Sequence, residues 1–192
     1  YGTAQFMNSY LIRTFGISVY EASLLFGLIA GVSPTAGTFL GGALSDRLEP
    51  KHPNVHVWLP ALGLAVAIPL YPIALTQTEI GIGLVAILLA PVFHYLYLGP
   101  MFAVTQGVAQ PRMRATAAAI LLLVVNLIGY GLGPPFVGIL ADVFANAHLA
   151  GAGLDAAQCA AVQGGACAEA RAVGLQRAMI ADVGVLAIAA VL

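Results

Sequence analysis

The sequence predicts an all-α, polytopic transmembrane helical bundle, and three observations carry that expectation. Hydrophobic residues make up 60% of the chain and charged residues only 8%, against roughly 25% charged in an average soluble domain. No polar shell can be built from so few charges. The apolar stretches are also long: residues 22–44 carry no charge, and at about 1.5 Å per residue they make about 34 Å of helix, enough to cross a hydrocarbon core of about 30 Å. Strict period-2 alternation is absent, so helices are favoured over a closed barrel, the two architectures that satisfy their backbone in lipid. A net charge of −1 gives no electrostatic pull toward nucleic acid.

Six apolar segments follow in order. Residues 1–12 are too short to span and form the tail of a helix begun upstream. Spans are expected at 22–44, 57–76, 82–104, 115–141 and 175–192. Pro60, Pro69 and Pro72 fall inside the second of these, Pro91 and Pro100 inside the third. Such residues are tolerated in membrane helices because neighbours and local backbone adjustments re-satisfy the freed groups. The chain opens without a basic start and stops within an apolar run. It is therefore expected to be a fragment of a longer protein.

The loops alternate in character. Loops 45–56 and 105–114 carry Arg47, Lys51, Arg112 and Arg114. Arg13, Arg171 and Arg177 lie on the other side. The short basic loops are placed in the cytoplasm by the positive-inside rule, and 142–174 becomes a long outer loop. Cys159 and Cys167 both fall in that outer loop, where an oxidising compartment favours one disulfide. Two free thiols in an Ala/Gly-rich loop are the alternative.

Several groups point toward function. Gly42-Ala43-Leu44-Ser45-Asp46-Arg47-Leu48-Glu49-Pro50-Lys51 lies where a Gly-rich helix meets the cytoplasm. Acid and base at such a helix end can lock neighbouring helices through charge-assisted hydrogen bonds. Ordinary interfacial charge is the plain alternative. Gly129, Gly131, Gly133 and Gly138 permit close helix approach, as do Gly27, Gly31, Gly37 and Gly41. Asn8, His94, Tyr97, Asn126 and Tyr130 are polar groups at membrane depth, where such groups are costly and tend to be functional. Asn126 and Tyr130 are four apart and share a helix face. For each, a satisfied interhelical hydrogen bond is the competing account. His94 has the chemistry of a proton-linked switch. Asp182 is expected near the outer interface, neutralised by Arg177 or Arg171.

Two enzyme or metal readings fail on this sequence. Ser33, followed by Pro34, would need His94 as an activating base within reach, and nothing places them together. His52 and His56 are four apart, but Pro53 opposes the continuous helix that would align them as metal ligands. A solvated loop is expected there. No catalytic residue, metal or cofactor is assigned.

The run Gly42-x-x-x-Asp46-Arg47 followed by Lys51 resembles the loop signature of the major facilitator superfamily. Glu49 stands where the signature usually has its second glycine. Arg112-Met113-Arg114-Ala115-Thr116, followed by Asn126 to Pro135 and Gly138 to Asp142, looks like the tenth loop and eleventh helix of the Spinster-like branch. Phe15-Gly16-Ile17-Ser18 with Glu21-Ala22 is similar to that branch between helices seven and eight. The resemblance implies the C-terminal six-helix half, helices seven to twelve, in which helices seven, eight, ten and eleven line a central cavity. Spans 22–44 and 115–141 would be equivalents in an inverted repeat, each Gly/Pro-rich and ending in Gly-x-x-x-Asp (Gly42 to Asp46, Gly138 to Asp142).

The expected activity is secondary transport of a lipidic or small organic solute by alternating access, with protons as a candidate coupling partner. Further expected partners are membrane lipid and the missing N-terminal half. The expected location is a bacterial inner membrane. The alternative is a non-transporting helical membrane scaffold or assembly subunit.

Overall fold

The computed structural model describes residues 1–77, 79–152, 159 and 165–191. Seven α-helices are described: α1 (Gly2–Phe15), α2 (Val19–Leu48), α3 (Val55–Thr76), α4 (Ile80–His94), α5 (Leu98–Val108), α6 (Arg114–Gly151) and α7 (Ala166–Val191). Short 3₁₀ turns occupy Tyr95–Tyr97 and Pro111–Met113. No strand occurs among the described residues.

The helix ends follow from local sequence. α1 stops at Gly16, which adopts φ 63 and returns its N–H to the Ile12 carbonyl at 3.0 Å. That left-handed cap suits glycine because it has no Cβ. Two residues later Ser18 and Glu21 form a capping box. The Glu21 carboxylate accepts from the Ser18 N–H at 2.9 Å, and the Ser18 hydroxyl accepts from the Glu21 N–H at 3.3 Å. Orphan donors at the start of α2 are thereby satisfied.

The described contacts divide the chain into two units. Residues 1–26 and 127–183 form one; residues 27–126 and 184–192 form the other. In the first, Tyr10, Leu11, Val137, Leu175 and Met179 are almost fully buried. In the second, α3 packs on α4, on the Tyr95–Tyr97 turn and on α5, with Leu59, Ala67, Leu75, Ile87 and Ala90 buried among them.

Many large apolar side chains point outward, including Phe39, Val57, Leu123, Leu127 and Ile139. Four helical stretches are long and apolar enough to cross a membrane: Val19–Leu48, Val55–Thr76, Gly81–Val108 and Pro111–Gly151. Lipid is the solvent in which such a surface is stable. α7 is not among these four; Glu169, Arg171, Arg177 and Asp182 lie along it.

Several boundaries differ from the sequence expectation. The expected outer loop 142–174 is helical at both ends, since α6 continues to Gly151 and α7 starts at Ala166. Ala145 and Leu149 are buried four residues apart, as are Ala170 and Gly174. An amphipathic face therefore carries each helix past the point where hydropathy falls. Residues 153–158 and 160–164 of that loop, and Leu192 of the last expected span, lie outside the described residues. The loops expected at 45–56 and 105–114 likewise shrink, because α2 runs to Leu48, α3 starts at Val55 and α5 runs to Val108. Hydropathy marks where a chain leaves the hydrocarbon, whereas helical hydrogen bonding ends at caps and prolines. The expected span 82–104 falls within the Gly81–Val108 stretch, whose helix tightens from α to 3₁₀ at Tyr95–Tyr97.

Candidate functional site

The 3₁₀ turn between α4 and α5 gathers a polar cluster within the apolar Gly81–Val108 stretch. Pro91 and Pro100 bracket it. Each lacks an N–H, so the carbonyls of Ile87 and Leu96 lose their helical donors. The chain tightens into a 3₁₀ turn, where residues three apart eclipse one another. His94 and Tyr97 are therefore brought to one side, with ring centroids 5.9 Å apart. Tyr95 lies 5.4 Å from the His94 ring. From α3, the buried Tyr71 meets His94 edge-on at 6.0 Å, and its hydroxyl lies 3.2 Å from His94 Nδ1. A neutral imidazole carries one donor and one acceptor, and each phenol can do both. The cluster can orient a polar solute group or pass a proton.

Close backbone packing holds this turn in place. A Cβ on Gly37 would run into the Val92 carbonyl, one on Gly41 into the Leu96 carbonyl, and one on Gly63 into the Phe93 carbonyl. The carbonyl orphaned by Pro100 is thus the one that faces Gly41. The first pair of the small-residue pattern behaves differently, because a Cβ on Gly27 or Gly31 would meet nothing among the described residues.

The other expected site residues have separate surroundings. Asn8 donates from Nδ2 to Ser23 Oγ at 3.3 Å, while its Oδ1 is buried without a hydrogen-bond partner among the described residues. Asn126 donates back to the Leu122 carbonyl of its own helix at 2.7 Å. Tyr130 is 50% exposed, with the Tyr1 ring tilted against it at a centroid distance of 4.1 Å. Gly129 faces Tyr1, Gly133 faces the backbone of Gly2, and Gly138 is in ordinary contact with Phe6. Gly131 departs from its expected packing role: a Cβ there would meet nothing among the described residues. It lies two residues from Gly129 and Gly133, hence on the far side of a helix with 3.6 residues per turn.

At the end of α2, Asp46, Arg47 and Lys51 are exposed and make no ion pair among the described residues. Ser45, Glu49 and His56 make the contacts instead. His56 Nδ1 lies 3.2 Å from Ser45 Oγ, and its Nε2 lies 3.4 Å from Glu49 Oε1. His56 is therefore not the solvated loop residue that was expected. His52 is exposed and stands edge-on to Trp58. Among the described residues no cluster of His, Cys, Asp and Glu can hold a metal.

Asp182 also differs from expectation. Its carboxylate accepts from the Thr3 hydroxyl at 2.6 Å and the Thr3 N–H at 3.1 Å. Arg177 is five residues away and so on another face of α7, while Arg171 lies about 16 Å along the axis. Arg171 donates instead to the Cys159 carbonyl. Cys159 and Cys167 are joined by a disulfide, packed with Leu149 and Ala170. Ser33 Oγ is buried with no hydrogen-bond partner among the described residues.

Sequence reasoning missed Tyr71, Ser45, Glu49 and His56 as contact-forming residues. Tyr71 left one signal, a lone phenol within an apolar span. Ser45 and Glu49 left another, a polar pair four apart on one helix face.

No protein-family model matches the chain. An MFS-type efflux pump of Mycolicibacterium smegmatis is 30% identical over 142 residues, which cover 74% of this chain and 33% of that protein. Protein spinster homolog 3 of Danio rerio is 30% identical over 122 residues, covering 62% of this chain and 24% of that protein. Two solved structures of a bacterial homologue of the human lysosomal transporter Spinster also match. In its inward-facing, unoccupied form the TM-score is 0.85 at 35% identity, covering 99% of this chain and 43% of that one. In its inward-facing, occupied form the TM-score is 0.83 at 35% identity, covering 99% and 44%. The chain thus spans about a third or less of the curated relatives it matches and less than half of the solved ones.

Fold and apolar surface define an integral, multi-pass helical membrane protein, similar over most of its length to proteins named as transporters. The chain belongs to the major facilitator superfamily, and within it resembles the Spinster-like branch.

Proposed function

We propose that this chain is the C-terminal half of a secondary transporter that moves a lipidic or small organic solute by alternating access, with proton linkage. The observation that supports this most is the likeness of 99% of the chain, at 35% identity, to an inward-facing Spinster homologue. The Tyr71–His94–Tyr95–Tyr97 cluster supplies the chemistry. It holds a titratable imidazole among phenols, at a 3₁₀ turn bracketed by two prolines. In this reading His94 carries the coupled proton, and Asn8, Tyr97, Asn126 and Tyr130 contact the solute. The buried Asn8 Oδ1, unpartnered among the described residues, is an acceptor for a solute donor. Asp46, Arg47 and Lys51 stabilise one conformational state from the cytoplasmic side, and the membrane is a bacterial inner membrane.

The test is reconstitution of the full-length protein in liposomes with a panel of lipids and organic solutes, with and without a proton gradient. Gradient-stimulated flux of at least one solute is expected, and His94→Gln should remove the stimulation. Flux that ignores the gradient removes the proton-linked part of the proposal. Absence of flux for every lipid and solute rejects the transport reading itself.

A further inference from the structure

We propose that Ser45, His56 and Glu49 form a proton-sensitive clasp that fixes the turn between α2 and α3, and with it the presentation of Asp46 and Arg47. Ser45 and Glu49 are four apart at the end of α2, where the Glu49 N–H still bonds the Ser45 carbonyl at 2.9 Å. Both side chains therefore leave the helix on one face. His56, in the first turn of α3, meets both of them. The three differ in access to water: Ser45 is 1% exposed, and the His56 and Glu49 side chains are 16% and 57% exposed. The proton reaches the imidazole from the Glu49 side, and the Ser45 end stays dry.

Glu49 occupies the position where the family's loop signature usually has a glycine. The turn closes without it, since no non-glycine residue has positive φ among the described residues. In place of backbone freedom, position 49 contributes a carboxylate to the first turn of the next helix.

The protonation step balances within the three side chains. With His56 neutral, Nδ1–H donates to Ser45 Oγ and the Nε2 lone pair faces the Glu49 carboxylate. A proton from solvent adds to Nε2. Nε2–H then donates to Glu49 Oε1. The contact with Glu49 becomes an ion pair, and the clasp tightens as pH falls.

The surrounding charges leave Glu49 as the partner. Asp46 and Arg47 on α2 and Lys51 in the turn are exposed, and the His52 ring packs on Trp58. α3 carries no ionisable side chain between His56 and Tyr71; of the elements that pack on it, α5 carries none, and α4 and the Tyr95–Tyr97 turn carry His94, Tyr95 and Tyr97, which gather around Tyr71 near the other end of α3. The helix N-terminus at His56 disfavours positive charge; Glu49 offsets it. For a pair this exposed the clasped-to-open ratio should change about two- to five-fold.

The geometry stands without the transport reading, but its consequence at Asp46 and Arg47 rests on that reading. The test uses the full-length protein in nanodiscs, with a nitroxide attached at Asn54 in the turn. Lowering the pH from about 8 to about 5 spans the ordinary imidazole titration. The mobile fraction should fall by about two- to five-fold in the wild type, and this response should vanish in both Glu49→Gln and His56→Gln. A wild type that does not respond, or a response that survives in both variants, overturns the proposal. Solute flux from the same preparations separates the two readings: a pH-dependent turn without flux keeps the clasp and rejects transport, whereas flux with an unresponsive turn does the reverse.

Discussion

His94 closes α4 at the point where two prolines strip donors from neighbouring carbonyls, and a polar partner reaches it from a different helix. The Tyr71 hydroxyl at 3.2 Å from Nδ1 orients the ring, as donor or acceptor according to the tautomer. Replacing Tyr71 with Phe keeps the buried ring and removes that bond. The expected loss is about 0.5–1.5 kcal/mol, the net worth of one intramolecular hydrogen bond. Thermal unfolding in detergent would measure it, and an unchanged midpoint would show that the hydroxyl is not holding the imidazole. At this scale the sequence was half legible. His94, Tyr95 and Tyr97 are neighbours in the chain and could be grouped by eye. Tyr71 joins them only because α3 packs against the 3₁₀ turn.

At the scale of the element, Gly41 and Gly27 read alike in the sequence and differ in the structure. Gly41 faces the Leu96 carbonyl, while Gly27 faces no neighbour among the described residues. Gly41→Ala should force backbone apart and cost about 1–3 kcal/mol, whereas Gly27→Ala should be neutral or slightly stabilising because alanine is the better helix former. Paired melting curves of the two variants check this, and equal midpoints would contradict the close approach at Gly41. The segment joining α6 to α7 has its own constraint in the Cys159–Cys167 disulfide. Opening so short a loop by Cys159→Ser with Cys167→Ser should cost roughly 2–3 kcal/mol in the chain-entropy model. The same midpoint before and after the double substitution would show that the crosslink adds nothing.

For the whole molecule, the exposed trio Asp46, Arg47 and Lys51 is the most informative target. None of them has an ionic partner among the described residues, so removing the Asp46 charge should leave this bundle folded. In the full-length protein, Asp46→Asn is expected to shift the balance between inward- and outward-facing states by about ten-fold, the size of about one charge-assisted hydrogen bond or 1.4 kcal/mol. Distances between spin labels on the two membrane faces would report the populations. Unchanged populations together with unchanged flux would remove the locking role from this loop.

The sequence by itself determined that the chain is helical and lives in lipid, because charge content and uninterrupted apolar length depend on composition and not on contacts. It also determined the family resemblance, because a motif such as Gly42-x-x-x-Asp46-Arg47 is a local string. Helix ends past residue 141 and before residue 175 were decided by the structure, since burial of Ala145, Leu149 and Ala170 needs a packed neighbour. The same holds for Asp182, which found Thr3 from the far end of the chain rather than an arginine on its own helix. Only tertiary structure could decide which glycines are crowded, which polar residue meets His94, and that His56 ties two helices together, because each depends on side chains distant in the chain arriving within a few ångströms of one another.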